Sequence, residues 1–142
     1  MRNAKLDLPQ FAPSPWTPWM DRVQIKGVNL PGVYVLARFK GAAPKKVDPA
    51  DLKVIYVGET CDQMLSERWY QFGRSAFEEK SGHSGGHTYR REVTSTPRGL
   101  WVAAMGVALP ETLAAATIRL LERILIWQYV HRHGWMPICN RK

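Results

Sequence analysis

The chain has 142 residues, of which 45% are hydrophobic, and its 20 Lys and Arg against 12 Asp and Glu give a formal net charge of +8. This composition excludes a disordered chain, and two cysteines are too few for a disulfide framework. The length suits one domain. The basic excess favours a polyanionic partner, usually nucleic acid, over a generic soluble surface.

The N-terminal region, residues 1–30, is rich in proline and tryptophan. Proline blocks regular helix and tryptophan favours burial, so we predict an extended arm packed on a domain that spans residues 31–142. The first residues lack the apolar core of a signal peptide, and no run approaches the ~18 apolar residues of a membrane span. We therefore expect a cytoplasmic protein that does not enter a membrane.

Two β-prone segments follow the arm. Pro31–Phe39 (PGVYVLARF) predicts a first strand and Val54–Gly58 (VIYVG) a second. The lysine-containing segment 40–53 connects them as a loop. Consecutive strands of this kind pair most simply as an antiparallel hairpin.

A helix is predicted over Asp62–Lys80, because Leu65, Trp69 and Phe72 recur at helical spacing. Asp62 is the expected N-cap, and Gly73 is a point where the helix breaks or kinks. Residues 81–99 are rich in Gly, Ser and Thr, which predicts a loop.

A third strand is predicted over Leu100–Leu109, followed by a long helix with Pro110 in its first turn and Gly134 as its C-cap. The order arm, β, β, α, β, α predicts a small α+β domain with helices packed on a mainly antiparallel three-stranded sheet. We expect four tryptophans to belong to the core: Trp69, Trp101, Trp127 and Trp135.

Two tripeptides, Gly32-Val33-Tyr34 and Tyr56-Val57-Gly58, resemble the motifs that name the GIY-YIG nuclease superfamily. The family pattern continues with an arginine on the first helix, a glutamate on a later helix and a C-terminal asparagine. Arg68, Glu122 and Asn140 match these in order, so the resemblance covers roughly residues 31–140. The chain departs from the pattern at Phe72, where some members have a histidine, and its hairpin loop is longer than in compact members.

This resemblance implies a metal-dependent DNA endonuclease. Glu122 would be the sole protein ligand of Mg²⁺ or Mn²⁺, consistent with a hard cation that keeps most of its waters. Tyr34 would contact the attacking water as general base and Tyr56 would support it by hydrogen bonding. Arg68 would stabilise the scissile phosphate, and Asn140 would close the site by hydrogen bonds.

Each of these residues also has a simpler interpretation. Glu122 can form a structural ion pair with Arg119 or Arg123. Tyrosine is common in half-buried strands, Arg68 suits a solvated helix face, and Asn140 suits a turn. These alternatives stay open at the level of sequence.

Several basic residues are candidate nucleic-acid contacts. Lys45 and Lys46 contact the backbone or only add solubility, and Arg74 is a candidate second phosphate contact. The predicted loop 81–99 presents further candidates, and His87 is a candidate replacement for the missing family histidine. The loop candidates are His83, His87, Arg90 and Arg91.

Two other function classes compete with the nuclease. One is a nucleic-acid-binding module that keeps the fold without cleaving, and the other is a protein scaffold that docks through the aromatic arm. The expected partner is duplex or branched DNA, with a homo-oligomer or an accessory protein as a further source of specificity. The target, and the choice between DNA and RNA, are not determined by the sequence.

Overall fold

The computed structural model describes residues 7–141. The strands within this range form an antiparallel sheet in the order β1-β4-β2-β3. The elements in chain order are β1 (Thr17–Pro18), a 3-10 helix (Trp19–Gln24), β2 (Gly32–Arg38), β3 (Val54–Thr60), α1 (Leu65–Glu78), α2 (Ser84–Glu92), β4 (Leu100–Gly106), α3 (Glu111–His133) and a C-terminal 3-10 turn (Ile138–Asn140).

The predicted α+β class and the antiparallel β2–β3 hairpin are both confirmed. The predicted three-stranded sheet was one strand short. Thr17 and Pro18, in the N-terminal arm, pair with Val102 and Trp101 of β4. Part of the arm is therefore an edge strand. The two-residue pairing is too short to leave a periodic signal in the sequence.

The sheet separates two hydrophobic cores. β2 is central and buried on both faces, so its residues Gly32–Ala37 are all buried. Side chains alternate across a strand. Val33 and Val35 accordingly pack in the core that includes α3, whereas Tyr34 and Leu36 pack with α1 and α2. The first motif tyrosine is thereby directed to the α1–α2 side of the sheet.

Helix α1 is shorter than the predicted Asp62–Lys80. Its N-cap is Met64, without a side-chain cap, so the assignment of Asp62 as N-cap was wrong. The hydroxyl of Thr60 bonds to both the N–H and the carbonyl oxygen of Gln63, which holds a turn where the helix was expected to begin. Gly73 lies inside α1 without interrupting it.

Helix α2 lies within the segment predicted as a loop, so that prediction was wrong. Two consecutive glycines make the segment a poor helix by propensity. The same glycines permit close packing: a Cβ at Gly86 would lie 2.7 Å from the Phe72 carbonyl oxygen of α1. The side chain of His83 caps the helix by accepting from the Gly86 N–H. Tertiary contact and the cap together stabilise a helix that composition disfavours.

Helix α3 begins at Glu111 with Pro110 as its N-cap, one residue outside the predicted first turn, and β4 ends at Gly106 instead of Leu109. The predicted C-cap at Gly134 is confirmed, with φ of 85°. The helix buries one stripe against the sheet. That stripe consists of Ala114, Ile118, Leu121, Leu125 and Tyr129.

The prediction that Trp127 and Trp135 belong to the core was wrong. Trp127 lies off the buried stripe of α3 and is 64% exposed, and Trp135 is 52% exposed. Their rings stack on His131 and His133 respectively. Trp69 is fully buried, as predicted. No helix among residues 7–141 is long and apolar enough to cross a membrane.

Gly32 offers a test of the packing between the central strands. A Cβ at this position would overlap the Met105 carbonyl oxygen of β4. We expect Gly32→Ala to lower the free energy of unfolding by about 3 kcal/mol, measured by urea titration.

Gly41→Ala is the matched control, because a Cβ at Gly41 meets no atom within 4 Å. This control should change the free energy of unfolding by less than about 1 kcal/mol. Equal effects of the two substitutions would contradict the described approach of β2 and β4.

Candidate active site

An open cavity of about 720 Å³ lies along β3, at the outer edge of the sheet, between α2 and α3. Three of the five residues that match the family pattern line it: Tyr56, Glu122 and Asn140. They come from a strand, from the long helix and from the C-terminal turn. The fold therefore brings together residues that are far apart in the sequence.

Asn140 joins the C-terminal turn to β3. Its Nδ2 donates to the Val57 carbonyl oxygen and its Oδ1 accepts from the Val57 N–H, both at 2.9 Å. β3 is an edge strand, so these backbone groups have no partner strand on that side. Asn140 satisfies both and fixes the wall of the cavity. The role of Asn140 in closing an active site stays a prediction of the resemblance.

Tyr56 is held between two glycines. A Cβ at Gly58 would lie 2.5 Å from the Tyr56 ring and 2.5 Å from the Tyr34 ring, and a Cβ at Gly85 would lie 2.7 Å from the Tyr56 ring. Any side chain at either glycine would displace the ring. The glycine of the second motif is thus required by the packing of both tyrosines.

Tyr34 lies behind Tyr56, with ring centroids 6.0 Å apart, and is completely buried. Its hydroxyl lies 3.2 Å from Nε2 of His83. Nδ1 of His83 accepts from the Gly86 N–H at 3.1 Å, so a neutral ring carries its proton on Nε2. His83 therefore donates to the Tyr34 oxygen, which leaves the Tyr34 proton available to another acceptor.

His83 takes a position that the sequence did not predict. It was a candidate phosphate contact, but its side chain is buried and bonded to Tyr34. Its ring centroid lies 5.2 Å from that of Phe72, the residue at the position of the missing family histidine. The Ser75 hydroxyl accepts from the His83 N–H. His83 thus contacts both motif tyrosines, whereas His87 lines the cavity together with Tyr56.

Burial is the main cause of the perturbed pKa values at this site. It raises the pKa of Tyr34 well above 10, an effect strengthened by Tyr56 and opposed by the charge of Arg68. Burial likewise raises the pKa of Tyr56 to about 12, again opposed by Arg68. The pKa of His83 falls to about 3 through burial and the charge of Arg68. All three groups are neutral near pH 7.

Glu122 lies beside the buried stripe of α3, and its side chain is 20% exposed. Its Oε1 lies 3.8 Å from Nε of Arg123, whose side chain is 83% exposed, so this ion pair is weak. Glu59 and Arg119 line the same cavity. The carboxylates of Glu122 and Glu59 are hard oxygen donors of the kind that Mg²⁺ or Mn²⁺ binds, and the open cavity has room for the waters it retains.

Arg68 lies in an adjoining cavity of about 330 Å³ that shares Glu59 and Arg119 with the first. Its Nη1 donates to Gln71 at 2.8 Å and to the Gly82 carbonyl oxygen at 3.4 Å. The charge of Arg68 opposes the rise that burial causes in the pKa values of Tyr34 and Tyr56, and the charge of Glu122 adds to that rise. These residues therefore act on one another electrostatically, although Arg68 and Tyr34 do not line the cavity of Glu122.

The other basic candidates divide into two groups. His87 and Arg91 of α2 line the cavity. Lys45 and Lys46 are exposed on the hairpin loop and are absent from the described lining.

Arg74 and Arg90 are likewise absent from the described lining. The guanidinium of Arg74 lies 5.8 Å from the centroid of the Tyr70 ring. Arg90 reaches back to α1, where it contacts the Ala76 carbonyl oxygen and the Glu79 carboxylate. Both side chains are therefore engaged within or next to α1.

Sequence reasoning did not select four charged residues that line the cavity: Glu59, Arg119, Arg123 and Arg141. Glu59 directly follows the second motif glycine, but alternation along β3 places it on the opposite face of the strand from Tyr56, so spacing gave no signal for its place in the cavity. Arg119 precedes Glu122 by three residues and shares its helix face. It was considered only as an ion-pair partner of Glu122, not as a possible ligand of phosphate.

Comparisons of the chain with protein-family models, with curated proteins and with solved structures find no match. The resemblance to the GIY-YIG superfamily therefore stays a prediction based on five residues and their order.

The depressed pKa of His83 predicts a specific pH dependence of stability. Its ordinary value is 6.5 and its value in the fold is about 3. Between these values the unfolded chain binds a proton that the folded protein excludes, so stability falls as pH falls. We expect this group to contribute a loss of about 1 kcal/mol per pH unit in that window.

His83→Asn removes this contribution and retains a good N-cap for α2. The difference in unfolding free energy between wild type and variant should therefore shrink from pH 7 to pH 4, measured by urea titration. His131→Asn, at an exposed position of α3, is the control. A difference between wild type and His83→Asn that is independent of pH would contradict the burial of a neutral His83.

Proposed function

We propose that the chain is a metal-dependent endonuclease that hydrolyses DNA phosphodiester bonds in the manner of GIY-YIG nucleases. The observation that supports this most strongly is the convergence of Tyr56, Glu122 and Asn140 on one cavity. The resemblance selected five residues, Tyr34, Tyr56, Arg68, Glu122 and Asn140, and three of them line this cavity. Their meeting in space is an independent property of the fold.

Glu122, with Glu59 near it, would hold Mg²⁺ or Mn²⁺ at the cavity wall. A cation bound there stabilises negative charge on the scissile phosphate and on the departing 3′ oxygen. Arg119 and Arg91 line the same cavity and would bind the phosphates on either side. Arg68, next to Glu59, would contribute charge to the reacting phosphate.

The roles of the two tyrosines differ from those implied by the resemblance. Tyr56 lines the cavity, whereas Tyr34 is buried behind it. In our proposal Tyr56 holds the attacking water by accepting its hydrogen. Burial raises the pKa of Tyr56 to about 12, a rise that the charge of Arg68 opposes, so the phenol is neutral near pH 7. It would relay the water proton by accepting that proton as its own hydroxyl proton passes to solvent. Tyr34 and His83 position the Tyr56 ring.

The reaction is an attack by water on phosphorus. The new bond joins the water oxygen to phosphorus, and the bond from phosphorus to the 3′ oxygen breaks. The water proton passes through Tyr56 to solvent, and the leaving 3′ oxygen takes a proton from solvent. The products carry a 5′ phosphate and a 3′ hydroxyl.

A binding module without cleavage is the second candidate, and one observation favours it. The burial of Tyr34 and the raised pKa values of both tyrosines disfavour an ionised base near pH 7. In such a module the net charge of +8 would serve binding alone. The two candidate functions differ in the role of Glu122, which would bind the catalytic metal only in the nuclease.

The plasmid test addresses cleavage directly. Purified protein with Mg²⁺ or Mn²⁺ should nick supercoiled plasmid, and Glu122→Gln should lower the rate by about 100-fold or more because a metal ligand is lost. DNA affinity measured in EDTA should change little. The readout is the conversion of supercoiled to open-circular plasmid on agarose gels.

Glu78→Gln, at an exposed glutamate of α1, is the matched control and should cleave at the wild-type rate. Wild-type protein that binds the plasmid in both metals and leaves it intact would overturn the nuclease assignment and establish the binding module.

The tyrosine roles have their own test. Tyr56→Phe should slow nicking by about 100-fold, as expected for loss of a group that handles the proton. Tyr34→Phe should slow it much less, because its hydroxyl does not line the cavity. Single-turnover rates for the two variants decide the assignment. A larger loss for Tyr34→Phe would show that Tyr34 contacts the water.

A further inference from the structure

A second cavity, of about 700 Å³, lies at the other end of β3 from the Glu59 side of the candidate active site. It is lined by Lys53, directly before that strand, by Ile55 near the strand's start, and by Glu92 and Val93 at the end of α2. The C-terminal 3-10 turn contributes Ile138 here and Asn140 to the first cavity. The two cavities are therefore neighbours along the same three elements.

The rim of this second cavity is strongly basic. Its described lining includes four cationic side chains, from Arg38, Lys40, Lys53 and Arg98. Glu92 is the carboxylate among the described lining residues, and its Oε1 lies 3.0 Å from Nε of Arg91. The cavity therefore carries an excess of positive charge, which favours an anionic ligand.

Arg38 supplies the second observation. Its Nη2 donates to the Arg98 carbonyl oxygen at 3.1 Å, which fixes the guanidinium at the cavity. Its Nε is buried, and within residues 7–141 it has no hydrogen-bond partner. A buried donor without an acceptor is costly, and because this Nε is closed to solvent a phosphate oxygen would accept from it only after a small shift of the guanidinium.

The remaining lining indicates which anion fits. Phe39, Ile55, Val93 and Ile138 form an apolar floor, and Leu52 is a 60% exposed apolar residue at the rim. In a duplex the bases are paired and stacked inside the helix and the phosphates face outward, so the bases would not cover this apolar floor. An unstacked base of a single strand can cover it while its phosphates meet the cations.

We infer that this basic cavity binds an unpaired nucleotide of a DNA strand that runs from the candidate active site. Ile55 and Val57 line neighbouring cavities on one strand and are separated by about 7 Å. A strand cut at Tyr56 and Glu122 can thus continue into the second cavity. The inference rests on the proposed function for the identity of the ligand, and it names branched or single-strand-bearing DNA as the substrate class.

The test measures binding in EDTA, so that it is independent of cleavage. Fluorescence anisotropy is recorded with a labelled oligothymidine and with a labelled hairpin duplex over a range of salt concentrations. Lys53→Ala and Arg98→Ala each remove one exposed rim cation. Each should weaken single-strand binding several-fold and lower the slope of log affinity against log salt by about one.

Leu52→Ala tests the apolar rim and should weaken single-strand binding by about tenfold or less without changing the salt slope. The duplex affinity should change by less than about twofold in these three variants, since a duplex does not enter the cavity. Lys26→Ala, at an exposed lysine outside the second cavity, is the matched control and should leave both affinities unchanged.

Two outcomes would overturn the inference. Single-strand affinity that is unaffected by Lys53→Ala and Arg98→Ala would exclude the cavity as the binding site. Equal losses for single strand and duplex would show a general basic surface in place of a nucleotide site. Failure of the nuclease proposal is distinct, because it appears as intact plasmid whether or not these variants change binding.

Discussion

The ring of Tyr56 can lie where it does only because backbone, and no side chain, faces it on two sides. Gly58 belongs to the same strand and Gly85 to α2, and a Cβ on either would lie within 2.7 Å of the ring. This packing restriction links β3 to α2, although the two elements are separated along the chain by α1. It also sets the distance between Tyr56 and Tyr34, since Gly58 is in contact with both. The candidate site depends on this close packing.

The edge of the sheet is the second structural requirement. A central strand exchanges its backbone hydrogen bonds with two neighbours, whereas β3 has β2 on one side only. Asn140 binds both free backbone groups of Val57, so the C-terminal turn acts as a short substitute for a further strand. The cavity that contains Glu122 lies beside this contact. Asn140 thereby covers part of an exposed strand edge, and the candidate site lies next to it.

Most of the regular structure was predictable because its signals are local. Alternation and apolar runs predicted β2, β3 and β4, helical spacing predicted α1 and α3, and Gly134 marked the end of α3. The sequence could not predict α2, because its Ser84-Gly85-Gly86 start disfavours a helix and is stabilised by packing against α1. The exposed position of Trp127 was missed because the buried stripe of α3 is narrower than the distribution of its apolar residues, and Trp135 lies beyond the C-cap of that helix.

The candidate site was likewise predictable from the sequence only in part. The resemblance selected Tyr34, Tyr56, Arg68, Glu122 and Asn140, of which the fold brings Tyr56, Glu122 and Asn140 to one cavity. The contact of His83 with Tyr34 crosses from α2 to β2 and has no signature in spacing. The burial of Tyr34 follows from the central position of β2, which could be known only once the sheet order was established.

The central claim is that Glu122 and Tyr56 form a metal-dependent nuclease site. A crystal structure of the protein with Mn²⁺ and a short DNA substrate tests it most directly, because Mn²⁺ gives an anomalous signal that locates the ion. The account predicts an anomalous peak at the Glu122 carboxylate, with the scissile phosphate between that ion and Tyr56. An ion bound elsewhere, or DNA bound on a surface remote from this cavity, would contradict it.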